Sequence, residues 1–270
     1  MDLGLSGATV CVQGGTKGMG RAVAECFAAE GAKVVVLARG QAAIDQMVDR
    51  LVELGSPDAF GISTDLTDAD SIDAAFDRID KRWDRLNTLV NAAGAPTNHQ
   101  PWHQATDEQW ETAFTLGVLA AVRCARAAYP LLKAAPWARI VNISAMSTRN
   151  HGPGLIDYTA GKSALNSAGK SLSLELGADG ILVNTVSPGA VLSDQVFESL
   201  SGLPVDERPD LDDLGSVMTW MTARFGTRSD IGRVGEPREI GTVVCFVGSA
   251  ANTYMTGANI NVDGGSAFYA

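Results

Sequence analysis

Short apolar runs rich in β-branched residues recur along the chain, separated by longer stretches with helical periodicity. The runs are too uniformly apolar to alternate between a buried and an exposed face, which is typical of strands covered on both sides. They read TVCVQ, KVVVLA, AFGIST, NTLVNA, RIVNIS, ILVNTV and NINVDGG. This order of elements predicts an α/β fold, a doubly wound parallel sheet of about seven strands with helices on both faces.

Two intervening stretches predict long helices, the Ala-rich segment 105–133 and the segment 157–178. Residues 194–232 interrupt the pattern, and we interpret them as a helical lid over a substrate site, with a surface-packed helical insertion as the alternative. The segment combines prolines, acidic residues and an apolar group: Pro204, Pro209, Asp210, Asp212, Asp213, Val217, Met218, Trp220, Met221 and Phe225. At this length, residues 1–270 are expected to form a single domain.

The charge balance limits the classes of partner. Lys and Arg total 21 and Asp and Glu total 31, so the net charge of −10 argues against nucleic acid or an anionic membrane. No apolar run approaches the roughly 18 to 20 residues that a bilayer span requires, and the N-terminus has no basic leader. We therefore expect a cytoplasmic protein without membrane association.

Neither a disulfide framework nor a metal site is predicted. The four cysteines are far apart with no CxxC pair, and the three histidines are scattered. These residues are Cys11, Cys26, Cys124, Cys245, His99, His103 and His151.

The sequence VCVQGGTKGMG runs from the first predicted strand into the start of a helix. Its glycines allow a tight turn, a close approach of backbone to phosphate and close helix–strand packing, and the helix N-terminus suits a pyrophosphate. The predicted cofactor-binding residues of this turn are Gly14, Thr16, Lys17, Gly18, Met19 and Gly20. A purely structural strand-to-helix turn is the alternative.

The second predicted strand ends at Ala38 and Arg39, where NAD-binding proteins carry a carboxylate for the ribose hydroxyls. With Arg39 there and Lys17 in the glycine-rich turn, a 2′-phosphate is favoured, so NADP is predicted and NAD is less favoured. Two solvated surface charges are the alternative.

Tyr158 and Lys162 are four residues apart, so they share one face of a helix. At about 5 Å and an effective dielectric near 20, the attraction is roughly 3 kcal/mol, or about two pK units. The pair therefore predicts a phenol whose pKa is lowered toward neutrality. Such a pair alone is also a common surface contact.

Seven motifs occur in order along nearly the whole chain: GGTKGMG, TDL at 64–66, NAAG at 91–94, YTAGK at 158–162, SPGAVLS at 187–193, RVGEPREIG at 233–241 and TGANINVDGG at 256–265. With these motifs the chain resembles the short-chain dehydrogenase/reductase family. The resemblance implies a Rossmann-type sheet and an NADP(H)-dependent oxidoreductase that transfers hydride between nicotinamide and a carbonyl or secondary alcohol.

The resemblance also implies roles for individual residues. Tyr158 would exchange the proton of the substrate oxygen, and Lys162 would lower the phenol pKa and hold the nicotinamide ribose. Further cofactor contacts would be Asp65 and Leu66 at the adenine, Asn91, Ala92 and Gly94 beside the adenine ribose, and Pro188, Gly189, Val191 and Ser193 around the nicotinamide. Ser193 stands where the family usually has threonine and keeps the hydroxyl.

Two positions depart from the family pattern. The catalytic serine position, thirteen residues before Tyr158, is Ala145. Ser147 would lie on the same side of an extended chain and is the predicted substitute, and an insertion that restores Ser144 is the alternative. The helix position that usually carries asparagine is Gly117, and space for a water molecule is one explanation.

Two expectations concern partners. The apolar group of 194–232, together with Trp102, indicates a largely apolar carbonyl or alcohol substrate, although a buried cluster explains the same residues. The Ala-rich face of 117–128 is consistent with a homodimer or homotetramer built on the two long helices, and an internal core face would look the same. Ala145 and Gly117 motivate a rival function, a nucleotide-binding sensor or partner subunit with weak or no redox activity.

Overall fold

The computed structural model of the protein describes residues 1–266, and its central feature is a parallel sheet. Seven strands of the described chain form the sheet in the order β3-β2-β1-β4-β5-β6-β7, which confirms the predicted doubly wound fold. The order reverses between β1 and β4, where ligands bind in sheets of this kind. The strands are β1 (Thr9–Gln13), β2 (Lys33–Ala38), β3 (Ala59–Ser63), β4 (Thr88–Asn91), β5 (Ala138–Ile143), β6 (Ile181–Pro188) and β7 (Asn259–Val262).

Helices connect the strands and cover both faces of the sheet. The α-helices are α1 (Gly18–Ala29), α2 (Gln41–Glu53), α3 (Ala69–Trp83), α4 (Asp107–Phe114), α5 (Ala120–Ala134), α6 (Ile156–Leu176), α7 (Asp194–Ser201), α8 (Leu214–Phe225) and α9 (Pro237–Val247). The predicted helix 157–178 is therefore α6, displaced by one or two residues at each end.

Two buried clusters, one on each face, explain why successive positions of a strand such as β2 are apolar. Val34 and Val36 of β2 pack on one face with residues from α1, α2 and α9. Val35 and Leu37 pack on the other face with residues from α3 and α5. Because successive side chains of a strand point to opposite faces, a strand covered on both sides needs apolar residues throughout.

The predicted helix 105–133 consists of three parts that run without a break from Asp107 to Ala134. It begins with a capping box between Thr106 and Gln109, and a π-helical turn, Thr115–Leu119, joins α4 to α5. Most of the Ala-rich face of 117–128 is buried in the chain's own core, so the alternative interpretation as a core face is the correct one for it.

The same helix corrects the expectation that no apolar stretch is long enough to cross a bilayer. By length and composition, Asp107–Ala134 is long enough, although half of its most apolar window is buried inside the fold. The core helix of a soluble protein passes the same test, so length and composition carry no membrane assignment here.

Residues 194–232 contain α7 and α8 and have a small core of their own. Leu200, Val217 and Met218 are buried in this core together with Val234, which follows the segment, and Trp220 and Met221 pack against it. Met218 therefore serves the packing of the segment, as the buried-cluster interpretation predicted.

Candidate active site

The glycine-rich turn between β1 and α1 packs closely against the end of β4. Gly14 has a φ of +75°, and a Cβ there would lie 2.8 Å from the backbone nitrogen of Ala93. A Cβ on Gly20 would overlap the carbonyl oxygen of Gly14. Both positions therefore require glycine, and the predicted tight turn is present.

The first turn of α1 suits an anionic group. Lys17 at the N-cap gives no side-chain cap, and the turn contains no acidic residue. Gly18 N donates to Asp194 Oδ2 at 2.8 Å, and the positive end of the helix dipole points toward the crevice at the sheet edge. These residues fit the pyrophosphate of a dinucleotide, with half-buried Thr16 and Met19 beside the glycines.

The two predicted cations lie at the same edge of the sheet. Arg39 directly follows β2, and its carbonyl oxygen accepts a hydrogen bond from Ser63 Oγ at 3.1 Å. Arg39 and Lys17 are both exposed, and neither forms an ion pair within residues 1–266. Both cations therefore remain available for a phosphate.

Asp65 and Leu66 form the turn between β3 and α3. The Asp65 carboxylate accepts hydrogen bonds from Thr67 N at 2.9 Å and from Thr67 Oγ1 at 2.7 Å, and these bonds lower its pKa. Leu66 is buried. The carboxylate thus shapes the turn that presents both residues.

Asn91, Ala92 and Gly94 extend from the end of β4 along the crevice. Asn91 Nδ2 donates to Asn142 Oδ1 at 2.8 Å, which joins β4 to β5, and Asn91 Oδ1 is buried with no partner in the described chain. Gly94 lies against Lys162, since a Cβ on Gly94 would be 3.1 Å from Lys162 Nζ. The structure therefore brings the NAAG wall of the crevice, residues 91–94, to the predicted catalytic lysine.

Lys162 and Tyr158 lie on the crevice side of α6, but their electrostatics differ from the prediction. The buried Lys162 Nζ donates to the Ile143 carbonyl at 2.7 Å and lies 6.0 Å from the centroid of the Tyr158 ring. Burial lowers the pKa of Lys162 to about 8 and raises the pKa of Tyr158 to about 12. The predicted lowering of the phenol pKa is thus wrong for this structure, because desolvation outweighs the attraction of an ammonium turned toward a carbonyl.

The three candidate positions for the missing serine have distinct environments. Ser144 Oγ donates to the Lys162 carbonyl at 3.3 Å, so its hydroxyl is used in packing β5 on α6. Ala145 is extended, and Met146–Thr148 form a 3₁₀ turn, so the alternation argument for Ser147 does not apply. Ser147 Oγ is nevertheless buried and has no hydrogen-bond partner among the described residues.

Gly117 lies in the π-helical turn and faces Gly161 of α6. A Cβ on Gly117 would be 3.5 Å from the Gly161 backbone, an ordinary contact, whereas a Cβ on Gly161 would be 2.6 Å from the Ala113 carbonyl oxygen. Close helix packing therefore requires glycine at 161 and not at 117.

The end of β6 completes the crevice. Pro188 and Val191 are buried, and Gly189 donates its N–H to the Val262 carbonyl at 3.0 Å. Ser193 caps α7, and its Cβ would lie 3.6 Å from a Cβ on Gly18. The fold thus brings the predicted nicotinamide segment onto the glycine-rich turn.

The predicted lid reaches the loop after β4 through aromatic contacts. His99, at a φ of +44°, stacks on Phe225 at 4.8 Å, and Trp220 contacts Phe225 edge-on at 5.8 Å. Trp102 lies elsewhere, in a cavity of about 540 Å³ that includes Ile156 and Ala160. Ile156 and Ala160 lie on a different face of α6 from Tyr158 and Lys162.

Sequence reasoning missed two charged residues at the turn. Asp194 accepts hydrogen bonds from Gly18 N and from Arg21 Nη2, each at 2.8 Å. Arg21 directly follows Gly20, and Asp194 directly follows Ser193, and both preceding residues are predicted site residues. Their separation of 173 residues, however, makes the pairing visible only in the fold.

Comparison with known proteins gives consistent results. A family model described as enoyl-(acyl carrier protein) reductase matches residues 14–267. The chain is 32% identical over 271 residues to 3alpha-hydroxysteroid dehydrogenase of Mediterraneibacter gnavus, covering 98% of both proteins.

Two solved structures are also similar over most of the chain. L-sorbose reductase from Gluconobacter frateurii, complexed with NADPH and L-sorbose, has a TM-score of 0.90 and 28% identity, with all of both chains covered. A 7 alpha-hydroxysteroid dehydrogenase complexed with NADH and 7-oxo glycochenodeoxycholic acid has a TM-score of 0.85 and 25% identity, with 98% of this chain and 96% of that chain covered.

Proposed function

This chain belongs to the short-chain dehydrogenase/reductase family of oxidoreductases, and we propose that it is an NADP(H)-dependent enzyme that transfers hydride between nicotinamide and a carbonyl or secondary alcohol. The observation that best supports this proposal is the position of Lys162. It is buried between Gly94 and the Ile143 carbonyl, at the carboxyl ends of β4 and β5 and beside Tyr158.

The chain's own residues manage the proton and the geometry. The bound nicotinamide supplies or accepts the hydride. Tyr158, with its pKa raised to about 12, is protonated at neutral pH and donates the proton to a substrate carbonyl oxygen. Lys162 would hold the nicotinamide ribose, and in that position its charge would oppose the rise in the phenol pKa.

Ser147 is our candidate for the hydroxyl that the family has at position 145. Its support is the buried Oγ, for which the described chain offers no partner, whereas Ser144 Oγ is bonded to the α6 backbone. A buried hydroxyl without a partner is costly, and a substrate oxygen would provide one.

NADP is the proposed cofactor, since Arg39 and Lys17 are exposed at the edge where a 2′-phosphate would lie. The solved relatives include one complex with NADPH and one with NADH, so the preference rests on these two cations of the chain.

The proposed substrate is a largely apolar carbonyl or alcohol. Residues 194–232 form the proposed lid, and the aromatic group of His99, Trp220 and Phe225 supports an apolar enclosure between this lid and the loop after β4.

We also propose that the enzyme is cytoplasmic.

The test is NADPH oxidation with a panel of steroid ketones, aliphatic ketones and ketoses. Tyr158→Phe should lower turnover by orders of magnitude and leave the NADPH dissociation constant nearly unchanged, because the ring stays and only the proton donor is lost. Comparable turnover in this variant would remove the phenol from the mechanism.

The missing hydroxyl at Ala145 favours a second candidate, a cofactor-binding protein with little redox turnover. NADPH binding without oxidation across the whole panel would support that role. Loss of a transition-state donor costs about 10²- to 10³-fold in rate, so the assay must detect turnover at this level.

A further inference from the structure

Asp194, the first residue of α7, is bonded to the phosphate-binding turn through both carboxylate oxygens. Oδ2 accepts from Gly18 N and Oδ1 accepts from Arg21 Nη2, each at 2.8 Å. A carboxylate of the proposed lid thus lies on the helix N-terminus that suits a pyrophosphate. The two anions would bind the same dipole end and the same cation.

The rest of α7 is weakly held. Leu200 is its only buried residue in the described structure, and Phe197 is exposed. An open cavity of about 550 Å³ lies between α7 and the helices α1 and α2, with Lys17, Arg21 and Glu198 among its lining residues. The segment before α7 is fixed by the bond of Leu192 N to the Gly235 carbonyl at 2.9 Å, so the Asp194 bonds bear on the first turn of the helix, which they tie to α1. Segments with few buried contacts open at low free-energy cost.

We propose that Asp194 is a latch that couples cofactor binding to the position of the lid. Its carboxylate holds α7 on the turn, and an entering pyrophosphate of the same charge competes for the Gly18 N–H and the Arg21 guanidinium. Cofactor entry therefore releases Asp194 and frees the N-terminal end of α7. The proposal rests on the proposed function to the extent that the turn must bind a dinucleotide.

The first test is the affinity for NADP⁺, measured by isothermal titration calorimetry. Asp194→Asn keeps the size and one acceptor but removes the competing charge, so it should bind NADP⁺ about three- to tenfold more tightly, with a smaller gain at high salt. Glu198→Gln is the matched control, because it removes the same charge one turn further along α7 in the same cavity. Equal or weaker binding by Asp194→Asn relative to Glu198→Gln would overturn the latch.

The second test is hydrogen exchange of the amides of residues 195–201, which does not depend on turnover. NADP⁺ should speed exchange several-fold in the wild type. In Asp194→Asn exchange should already be fast and should change little. Arg21→Gln probes the same contact from α1 and should also speed exchange of this segment before any cofactor is added. Slower exchange of the wild-type segment on NADP⁺ binding would contradict the proposal.

The binding data distinguish failure of the latch from failure of the proposed function. If the wild type binds neither NADP⁺ nor NAD⁺, the dinucleotide site and the latch fall together. If it binds NADP⁺ normally and Asp194→Asn behaves like Glu198→Gln, only the latch is wrong and the proposed function stands.

Discussion

At the scale of single residues, burial shifts the pKa values of the proposed catalytic pair, Tyr158 and Lys162. Spacing alone placed Lys162 beside Tyr158, but the sequence holds no sign that the ammonium turns to the Ile143 carbonyl. Desolvation then moves the pKa of each group toward its neutral form, with Lys162 at about 8 and Tyr158 at about 12. The same shifts have consequences for stability that can be measured without a substrate.

Lys162 should make the free energy of unfolding rise with pH between about 8 and 10.5. Between these pH values the native Lys162 has lost the proton that the unfolded state keeps. The free energy of unfolding therefore increases as pH rises toward 10.5, and this gain is lost as pH falls through 8. The full effect is roughly 3 kcal/mol. Tyr158, whose pKa is raised from 10, acts oppositely above pH 10, so the comparison stops there.

The measurement is urea unfolding of the wild type and of Lys162→Met from pH 7 to 10. The free energy of unfolding of the wild type minus that of Lys162→Met should increase as pH rises above 8. Lys170→Met, which removes an exposed lysine from the same helix, is the matched control. A flat difference curve for Lys162→Met would show that burial does not depress this pKa.

Arg39 should control the choice between cofactors. Arg39→Asp replaces a cation by an anion at the end of β2, so NADPH binding should weaken roughly ten- to hundredfold relative to NADH. Dissociation constants from nicotinamide fluorescence give the ratio. Arg78→Asp makes the same charge change at an exposed position of α3 and should leave the ratio unchanged. An unchanged ratio in Arg39→Asp would remove its phosphate role.

At the scale of elements, apolar periodicity was sufficient to find the strands and the long helices. TVCVQ and KVVVLA are β1 and β2 to the residue, because their apolar runs are bounded by polar or glycine residues at each end. The π-helical turn Thr115–Leu119 was not predictable, since it depends on how the long helix meets α6. The sequence showed only an unexpected glycine there.

Gly117 offers a test of this helix contact. Because a Cβ at 117 would make an ordinary 3.5 Å contact with Gly161, Gly117→Ala should stabilise the protein by about 0.5 to 1 kcal/mol. Gly161→Ala is the matched control across the same interface and should destabilise it, since its Cβ would lie 2.6 Å from the Ala113 carbonyl oxygen. Thermal unfolding of both variants is the measurement, and destabilisation by Gly117→Ala would contradict an ordinary contact at this position.

At the scale of the whole molecule, the topology assembles a site from segments far apart in sequence. Family motifs identified the glycine-rich turn, residues 91–94 and the segment 188–193, and the sheet order brings all three to one edge. The bond of Asp194 to Gly18 and Arg21 required that topology and left no periodic signal. The Ala-rich face of 117–128 shows the same limit, since core packing and subunit packing select the same small residues.

Subunit association therefore has to be argued from the exposed apolar residues of the long helices. Leu174 of α6 is 74% exposed and Leu119 is 44% exposed, and a homo-oligomer built on the long helices, which we propose from the family resemblance, would cover them. Leu174→Glu should shift the protein to a smaller species in size-exclusion chromatography with light scattering, because a charge cannot be buried there without a partner. Val52→Glu, at a 55% exposed position of α2, is the control and should not change the mass. A monomeric wild type, or an unchanged mass for Leu174→Glu, would place the interface elsewhere or remove it.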